Sequence, residues 1–188
     1  MTKELQDDTI LVILNGGRTL RICCCFLLRS AGIWPRFGRT LIACHLELRE
    51  SETMKKFTVR TNARAEMLDI TSRIRALLKE SRIKSGICHV FVPHTTAAIT
   101  VNENADPDVP RDILMELDKI VPLNDHYRHT EGNSAAHIKA SIIGASETVF
   151  IEDGDLVLGT WQSVFFCEFD GPRTRQVIIR LTPLESVK

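Results

Sequence analysis

The sequence predicts an α+β fold, in which a largely antiparallel, sandwich-like β system packs against two or three helices. Two observations lead to this prediction. Alternating or continuous apolar runs typical of strands recur throughout residues 54–188, most densely after residue 146. Among them lie two or three segments with helical periodicity, opened by a capping residue or proline and closed by Gly or Pro.

The first half of this region contains three strands and one helix. KKFTVRT (55–61) alternates as a half-buried strand does, and ICHVFVP (87–93) and AAITVNE (97–103) are two further apolar strands. Asp69 is the expected N-cap of a helix that Gly86 ends. The apolar face of this helix consists of Ile70, Ile74, Leu77 and Leu78.

The second half adds two helices and a series of strands. Asp106 is predicted to cap a helix that extends to Pro122 and has a proline at its first position. A short helix is predicted over Ser134–Ile143. The final strands are TVFIED, DLVLGTW, SVFFCEF and RQVIIRLT, separated by Gly-containing turns.

Residues 1–53 differ from the rest, because neither strand alternation nor helical periodicity is sustained there over a full element. The regular pattern begins at Met54. We therefore predict a single domain over 54–188, preceded by a poorly ordered extension that results from a mis-assigned start or a leader. Arg18 and Arg21 before ICCCFLL resemble a signal peptide only faintly, since the apolar run is short and no cleavage pattern follows.

Composition excludes several classes of function. The chain has 188 residues, a formal net charge of +0 and a pI near 7.0, which argues against a general nucleic-acid binder. No apolar run is long enough to span a membrane. The 6 cysteines form neither a CxxC pair nor a zinc-type spacing, so we expect reduced thiols in a cytoplasmic protein.

Three histidines stand out among the polar residues between the strands. We interpret His94, His129 and His137 as acid–base groups or as ligands of a divalent ion, Zn²⁺ or Mg²⁺, because neutral imidazole serves both purposes. Glu103 follows Asn102 at the end of a strand and suits a general base or a metal ligand. No tight ligand spacing connects the histidines, so their convergence is an expectation from clustering.

The candidate ligand-binding groups are a predicted helix start and several side chains on or near strands. Gly132, Asn133 and Ser134 lead into the third helix, whose free N–H groups and positive end favour a phosphate or carboxylate. Trp161 can form a wall for a flat ring. The remaining candidates are polar side chains on or near strands, namely Asn102, Gln162 and Arg173.

Four segments resemble the signature blocks of the YjbQ family, often labelled secondary thiamine-phosphate synthases. They are HTTAAITVNENADPDV (94–109), YRHTEGNSAAHIKAS (127–141), GTWQ (159–162) and CEFDGPR (167–173). The resemblance extends from about residue 54 to residue 181. It implies a sandwich-like α+β homotrimer with weak synthase activity, in which the histidines at 94, 129 and 137 bind a metal or act on substrate.

Three functions stay open at this point. The first is a low-activity thiamine-phosphate synthase, which joins a pyrimidine diphosphate to a thiazole phosphate and releases pyrophosphate at a His-rich anion or metal site. The second is a metal-dependent hydrolase that uses a His-bound water, with Glu103 as base. The third is a trimeric protein that binds a small anion or a metal without turnover. The expected partners are a second and third copy of the chain and a small phosphorylated or anionic ligand.

Overall fold

The computed structural model describes residues 9–14, 18–23 and 53–184, which belong to two units. The first unit, Met1–Leu46, contains the antiparallel strands β1 (Thr9–Leu14) and β2 (Arg18–Cys23). The sequence shows no sustained alternation before residue 54, and β1 forms from the short apolar run TILVIL, which can be a strand without alternating. The prediction of a poorly ordered leader concerns residues that lie mostly outside the described ranges.

The second unit, Glu47–Lys188, contains a five-stranded sheet in which every neighbouring pair is antiparallel. Its strands, in spatial order, are β3 (Thr53–Arg60), β10 (Thr174–Pro183), β5 (Gly86–Phe91), β7 (Ser146–Glu152) and β8 (Asp155–Leu156). Side chains along β10 alternate between buried and more exposed positions, as expected for a sheet with one face on the core.

A three-stranded antiparallel sheet faces the first one. It has the order β4 (Glu66–Asp69), β9 (Gln162–Glu168) and β6 (Ala97–Glu103). In the β6–β9 pair, Ala97 lies opposite Glu168 at one end and Glu103 lies opposite Gln162 at the other. This register decides which of the candidate site residues can meet.

The main hydrophobic core fills the space between the two sheets. Val90 and Ile179 reach it from the five-stranded sheet, and Ile99 and Phe166 reach it from the three-stranded sheet. Helix α1 (Thr71–Ser81) adds apolar side chains to the same core, and its Ile74 is 0% exposed. Burial of these side chains is the dominant stabilising contribution.

Two helices cover the other face of the three-stranded sheet. They are α2 (Asp108–Ile120) and α3 (Ser134–Ile143). Leu117 of α2 and Ala136 of α3 join Phe165 and Cys167 of β9 in a second hydrophobic cluster. The architecture is α+β, as predicted. Within the described ranges, no helix is long and apolar enough to cross a bilayer.

The boundaries of several elements differ from the prediction. Helix α1 ends at Ser81, well before Gly86, because Arg82 adopts a left-handed conformation with φ of 59°. Asp69 is the last residue of β4, a strand that the sequence did not predict, and its Oδ1 accepts the N–H of Thr71 at 2.8 Å. The predicted strand DLVLGTW shrinks to Asp155–Leu156.

Helix α3 has the bounds that were predicted for it, and α2 nearly so. Pro107 occupies the cap position of α2, one residue later than predicted. Asp106 lies just before the cap, and its Oδ1 accepts the N–H of Asp108 at 2.9 Å. No side chain at the cap position itself bonds the first turn of α2.

Candidate functional site

His94 lies three residues beyond β5, and its ring extends the hydrogen bonding of the sheet. The β5–β10 ladder ends at the pair Phe91 and Ile178. Beyond that pair, the backbone N–H of Gln176 donates to Nε2 of His94 at 2.9 Å. An N–H donor requires a lone pair on Nε2, so the neutral ring carries its proton on Nδ1.

The surroundings of His94 favour this neutral ring. Burial lowers the pKa of His94 below its ordinary value, and the nearby charge of Arg175 lowers it further. The carboxylate of Glu168 acts in the opposite direction without reversing the shift. His94 is therefore neutral over a wider pH range than a histidine in water.

Glu168 and Arg175 form a buried ion pair between the two sheets. Glu168 ends β9 and is 0% exposed, while Arg175 lies on β10 and is 8% exposed. Nε and Nη2 of Arg175 donate to the two carboxylate oxygens at 2.7 and 2.6 Å. Such two-point pairing satisfies both planar groups and fixes their relative orientation.

The same pair connects three loops around His94. Nη2 of Arg175 also donates to Oγ1 of Thr96 at 2.8 Å, two residues after His94. Oε1 of Glu168 accepts the backbone N–H groups of the next two residues at 3.1 and 3.0 Å. Oε2 accepts a weaker hydrogen bond from Thr61 at 3.3 Å. The buried charges thus hold the loop after β5, the turn after β9 and the end of β3.

Sequence reasoning missed this ion pair, although the alternation of β10 contains a clue to it. Arg175 shares a face with Val177, Ile179 and Leu181, and all four are buried. A charged residue in the inward phase of an apolar strand requires a buried partner. The identity of that partner follows only from the packing of one sheet on the other.

Gly171 is packed so closely beside the ion pair that no residue with a Cβ atom would fit there. A Cβ at this position would lie 2.2 Å from the backbone oxygen of Ala63 and 2.9 Å from Cγ of Glu168. The turn 168–173 can therefore approach the end of β3 only because residue 171 has no side chain.

Asp170 connects this turn to the start of α3. Its Oδ2 accepts Nδ2 of Asn133 at 3.1 Å and Nη2 of Arg173 at 2.8 Å. Burial alone raises the pKa of Asp170, but the hydrogen bonds from Asn133 and Arg173 outweigh it and hold the pKa below its ordinary value. Arg173 was predicted to bind an anionic ligand. In the structure it also donates to the backbone oxygen of Asp170 at 2.7 Å, so its first role is to fasten the turn.

The predicted ligand-binding segment before α3 has a defined geometry. Gly132 adopts a left-handed conformation with φ of 75°, which explains the glycine there. No side chain caps the first turn of α3. The rings of His129 and His137 meet edge to face, with centroids 5.5 Å apart and an angle of 83°. Oε2 of Glu131 lies 3.7 Å from Nε2 of His129. Ser134 is the first residue of the helix.

The amide of Asn133 is oriented by its contact with Asp170. Because Nδ2 donates to the carboxylate, Oδ1 must point away from it. Oδ1 is fully buried, and it has no hydrogen-bond partner in the part of the chain that the structure describes. A buried acceptor without a hydrogen bond costs free energy, because it has lost its contact with water.

Four of the predicted site residues lie at the opposite end of the three-stranded sheet. They are Asn102, Glu103, Trp161 and Gln162, whereas Glu168 and Asp170 mark the end near His94. Seven strand residues separate these ends, a distance of about 20 Å. In one chain, Glu103 therefore lies at the opposite end of this sheet from Glu168.

The residues at this far end have local roles. Oε1 of Gln162 accepts the N–H of Gly159 at 2.8 Å, and the backbone oxygen of Trp161 accepts the N–H of Asn104 at 2.8 Å. Oδ1 of Asn102 accepts the N–H of the next residue at 2.8 Å. The Trp161 side chain is 64% exposed and borders a cavity of about 370 Å³ lined by residues 159–162.

The predicted metal centre would consist of His94, His129 and His137. Among residues 53–184, no group of three or more His, Cys, Asp or Glu side chains is arranged to hold a metal ion. His129 and His137 contact each other, whereas Nε2 of His94 is already an acceptor for a backbone N–H. The cysteines described at side-chain level, Cys88 and Cys167, are free, and burial raises the pKa of each to about 12.

Comparison with known proteins places this fold in a family. A family model described as UPF0047 protein YjbQ-like matches residues 55–183. The UPF0047 protein YugU of Bacillus subtilis is 51% identical over 129 residues, which cover 68% of this chain and 98% of YugU. A UPF0047 protein of Methanocaldococcus jannaschii is also 51% identical over 126 residues, 67% of this chain and 91% of the relative.

Solved structures agree with the sequence relatives. A YjbQ/UPF0047 family protein from Clostridium acetobutylicum has 50% identity and a TM-score of 0.67, covering 68% of this chain and 99% of that protein. A YbjQ-like protein of unknown function from Sulfolobus solfataricus has 33% identity and a TM-score of 0.68, with coverage of 71% and 98%. The chain, over the domain that begins near residue 54, belongs to the UPF0047 family of YjbQ-like proteins.

Proposed function

We propose that this protein binds a small phosphorylated ligand at the start of α3 and is a slow transferase of the thiamine-phosphate synthase type. The observation that carries the proposal is the edge-to-face pair of His129 and His137 beside the uncapped first turn of α3. The backbone N–H groups at a helix start and the helix dipole favour an anion there. Two imidazoles add ring N–H groups that can donate hydrogen bonds to it.

The histidines and the residues at the helix start have different roles in the proposed reaction. A pyrimidine diphosphate and a thiazole phosphate are joined, and pyrophosphate leaves. His129 and His137 would stabilise the charge that develops on the departing pyrophosphate, by hydrogen bonding or by donating a proton. Asn133, Gly132 and Ser134 shape the backbone that receives the phosphate oxygens.

The charges around this segment explain why we propose a slow reaction. Three cationic side chains are already paired with carboxylates, in the pairs Arg173–Asp170, Arg175–Glu168 and Lys139–Asp118. Arg128 is exposed, so water screens its charge. Efficient phosphate chemistry relies on several unpaired cations or a metal. The anion would therefore depend mainly on backbone N–H groups and imidazoles.

We also propose that the protein works as a homotrimer. Trp161 and Gln162 were predicted to bind ligand, and Glu103 to act as a base, yet they lie about 20 Å from the turn at Asp170 in one chain. If both ends of the three-stranded sheet serve one site, the end with Glu103 and Trp161 has to come from another copy of the chain. The exposed Trp161 ring would then provide the flat wall for a heterocycle.

The hydrolase alternative receives less support from the geometry. It requires Glu103 beside a water bound by histidines, whereas Glu103 lies about 20 Å along the sheet from the end near His94. A divalent ion shared between copies would restore that arrangement, so we keep the ion as a condition in the assay. Binding without turnover is the third outcome that the same assay can reveal.

The test is a direct assay of pyrophosphate release from the two substrates, with and without Mg²⁺ or Zn²⁺. We expect slow release by the wild type and loss of at least about a hundredfold in His137→Ala. His89→Ala is the matched control, because His89 is exposed on β5 and only its Nδ1 contacts Thr148. Equal rates in wild type and His137→Ala would contradict the proposal, and phosphate binding without any release would support the binding-protein alternative.

A further inference from the structure

A cavity of about 490 Å³ lies where the edge of the five-stranded sheet meets the start of α1. The edge strand β3 contributes residues 58–60 to its lining, and the chain from the end of β4 to the start of α1 contributes residues 68–70. Arg73 of α1 and Thr174 of β10 complete the lining. A space of this size accommodates a small organic molecule. It shares no residue with the segment 129–137, so a ligand here would occupy a second site.

The guanidinium of Arg73 is held in this cavity by two contacts with β3. Its Nη1 donates to the backbone oxygen of Thr58 at 2.6 Å, and its Cζ lies 5.3 Å from the centroid of the Phe57 ring. Together these contacts fix the position of the group without a carboxylate partner. In the part of the chain that the structure describes, Nε and Nη2 of Arg73 have no acceptor. These two atoms are the donors that remain for a ligand.

Arg60 adds a second cation to the same lining. Its side chain is exposed, and its guanidinium forms no ion pair or hydrogen bond within the described ranges. The carboxylate in the lining, Asp69, is already occupied, because its two oxygens accept the N–H of Thr71 and Nδ2 of Asn104, each at 2.8 Å. Asp69 therefore pairs directly with neither arginine, and the cavity favours an anion.

We propose that this cavity binds the carboxylate of a small organic acid, with Arg73 as its main contact and Arg60 as a second cation. Nε and Nη2 lie on the edge of a guanidinium that pairs with both oxygens of a carboxylate. Arg175 uses these same two atoms to bind Glu168, at 2.7 and 2.6 Å. The half-buried Leu68 offers apolar surface to the body of the acid. This second site does not depend on the proposed phosphate site at α3.

The same contacts argue against two other kinds of ligand. Asp69 repels a dianionic phosphate more strongly than it repels a carboxylate with a single charge. An extended peptide could pair with the edge of β3, but the carbonyl of Thr58 already accepts a hydrogen bond from Arg73. A small acid with one negative charge satisfies the free donors of Arg73 without displacing this contact.

The test is a titration of the full-length protein with sodium hexanoate, followed by two-dimensional ¹H–¹⁵N NMR of the backbone amides. We expect saturable shifts for residues 58–60 and 69–73, with a Kd on the order of 1 mM, because water screens exposed guanidinium groups. 1-Hexanol has the same apolar body without the carboxylate, and it should leave these signals nearly unchanged at the same concentration. Equal shifts with hexanol would overturn the proposal, since the apolar body alone would then explain binding.

Variants of Arg73 separate its geometry from its charge. Arg73→Met removes both, and the affinity for hexanoate should fall about tenfold or more. Arg73→Lys keeps the charge without the two-point edge, and we expect a fall of about threefold to tenfold. Lys79→Met is the matched control, because Lys79 is an exposed cation of the same helix that does not line the cavity. If Arg73→Met binds hexanoate as tightly as Lys79→Met, the proposal is wrong.

Inorganic phosphate distinguishes this cavity from the start of α3. Under the proposed function, phosphate shifts the signals of segment 129–137, and it should leave those of residues 58–60 nearly unchanged. A lack of shifts in segment 129–137 would count against the proposed function alone. Tighter binding of phosphate than of hexanoate at residues 58–60 would overturn the assignment of this cavity to a carboxylate.

Discussion

Arg175 of β10 and Glu168 of β9 join the two sheets through a two-point ion pair, with donor–acceptor distances of 2.7 and 2.6 Å. The pair lies at the end of the sandwich where His94 and Asp170 are found. Burying two charges is costly in itself, and well-packed apolar residues are often as stable. The Arg175–Glu168 pair lies beside the candidate site and bonds the loops around it. We therefore infer that its main contribution is to orient these loops.

Removing one member of this pair should destabilise the protein strongly. Arg175→Met leaves the Glu168 carboxylate buried without a cation, and we expect a loss of about 3–5 kcal/mol in the free energy of unfolding. Urea denaturation followed by circular dichroism measures it. Arg111→Met is the control, because Arg111 and Asp108 form an exposed pair, with side chains 74% and 70% exposed. A similar loss in both variants would show that burial of the pair does not matter.

A methyl group at residue 171 should displace the turn after β9. In Gly171→Ala, Cβ would lie 2.2 Å from the oxygen of Ala63, and backbone atoms on both sides must move. We expect a destabilisation of about 1–3 kcal/mol. In Gly159→Ala the nearest atom is Oε1 of the flexible Gln162 side chain at 3.2 Å. That variant should be nearly as stable as the wild type. If Gly171→Ala and Gly159→Ala lower the free energy of unfolding equally, the close contact of Gly171 with Ala63 does not limit the size of residue 171.

Stability should fall in acid partly because of Asp170. Its pKa in the folded protein lies below the ordinary value of 3.8, so its contribution is fully present above that pH. The contribution disappears as the pH falls below 3.8 toward the folded-state pKa, because the unfolded carboxyl takes up a proton first. Asp170→Asn should therefore show a weaker dependence of stability on pH in this window. Parallel curves for wild type and variant would contradict the prediction.

Mixed oligomers can reveal whether the two ends of the three-stranded sheet belong to one site. His137→Ala and Glu103→Ala should each be inactive alone. If copies share sites in a homotrimer, co-expression in equal amounts should restore activity at about one quarter of the sites. No recovery, with mixed oligomers verified by mass spectrometry, would mean that one chain supplies the whole site or that Glu103 has another role.

Local patterns in the sequence were sufficient for most of the fold. Alternation in β3 and β10, the proline residues that bound α2 and the glycine that follows α3 act over a few neighbours, so these elements could be predicted. Strand β4 was missed, because its four residues, all half-buried or exposed, show no apolar run. The end of α1 was misplaced, since Arg82 takes the left-handed conformation that glycine usually takes.

The candidate site could be predicted only in part. The segment from His129 to His137 is local, and its two histidines contact each other as their spacing around a helix start allows. The grouping of Glu103 with the histidines stays a prediction, and the β6–β9 register places Glu103 at the end of the sheet opposite Glu168. Arg173, predicted to bind ligand, fastens the turn at Asp170.

The α+β class, the family and the side chains able to act as acids, bases or ligands could be read from the sequence, because they depend on short-range patterns. The contact of Arg175 with Glu168, and the contact of Gln176 that sets the protonated nitrogen of His94, follow only from the folded structure. Arg175 and Glu168 pair across two packed sheets, and His94 and Gln176 are 82 residues apart in the chain. Contacts of this kind depend on strand register and sheet packing, which no local periodicity encodes.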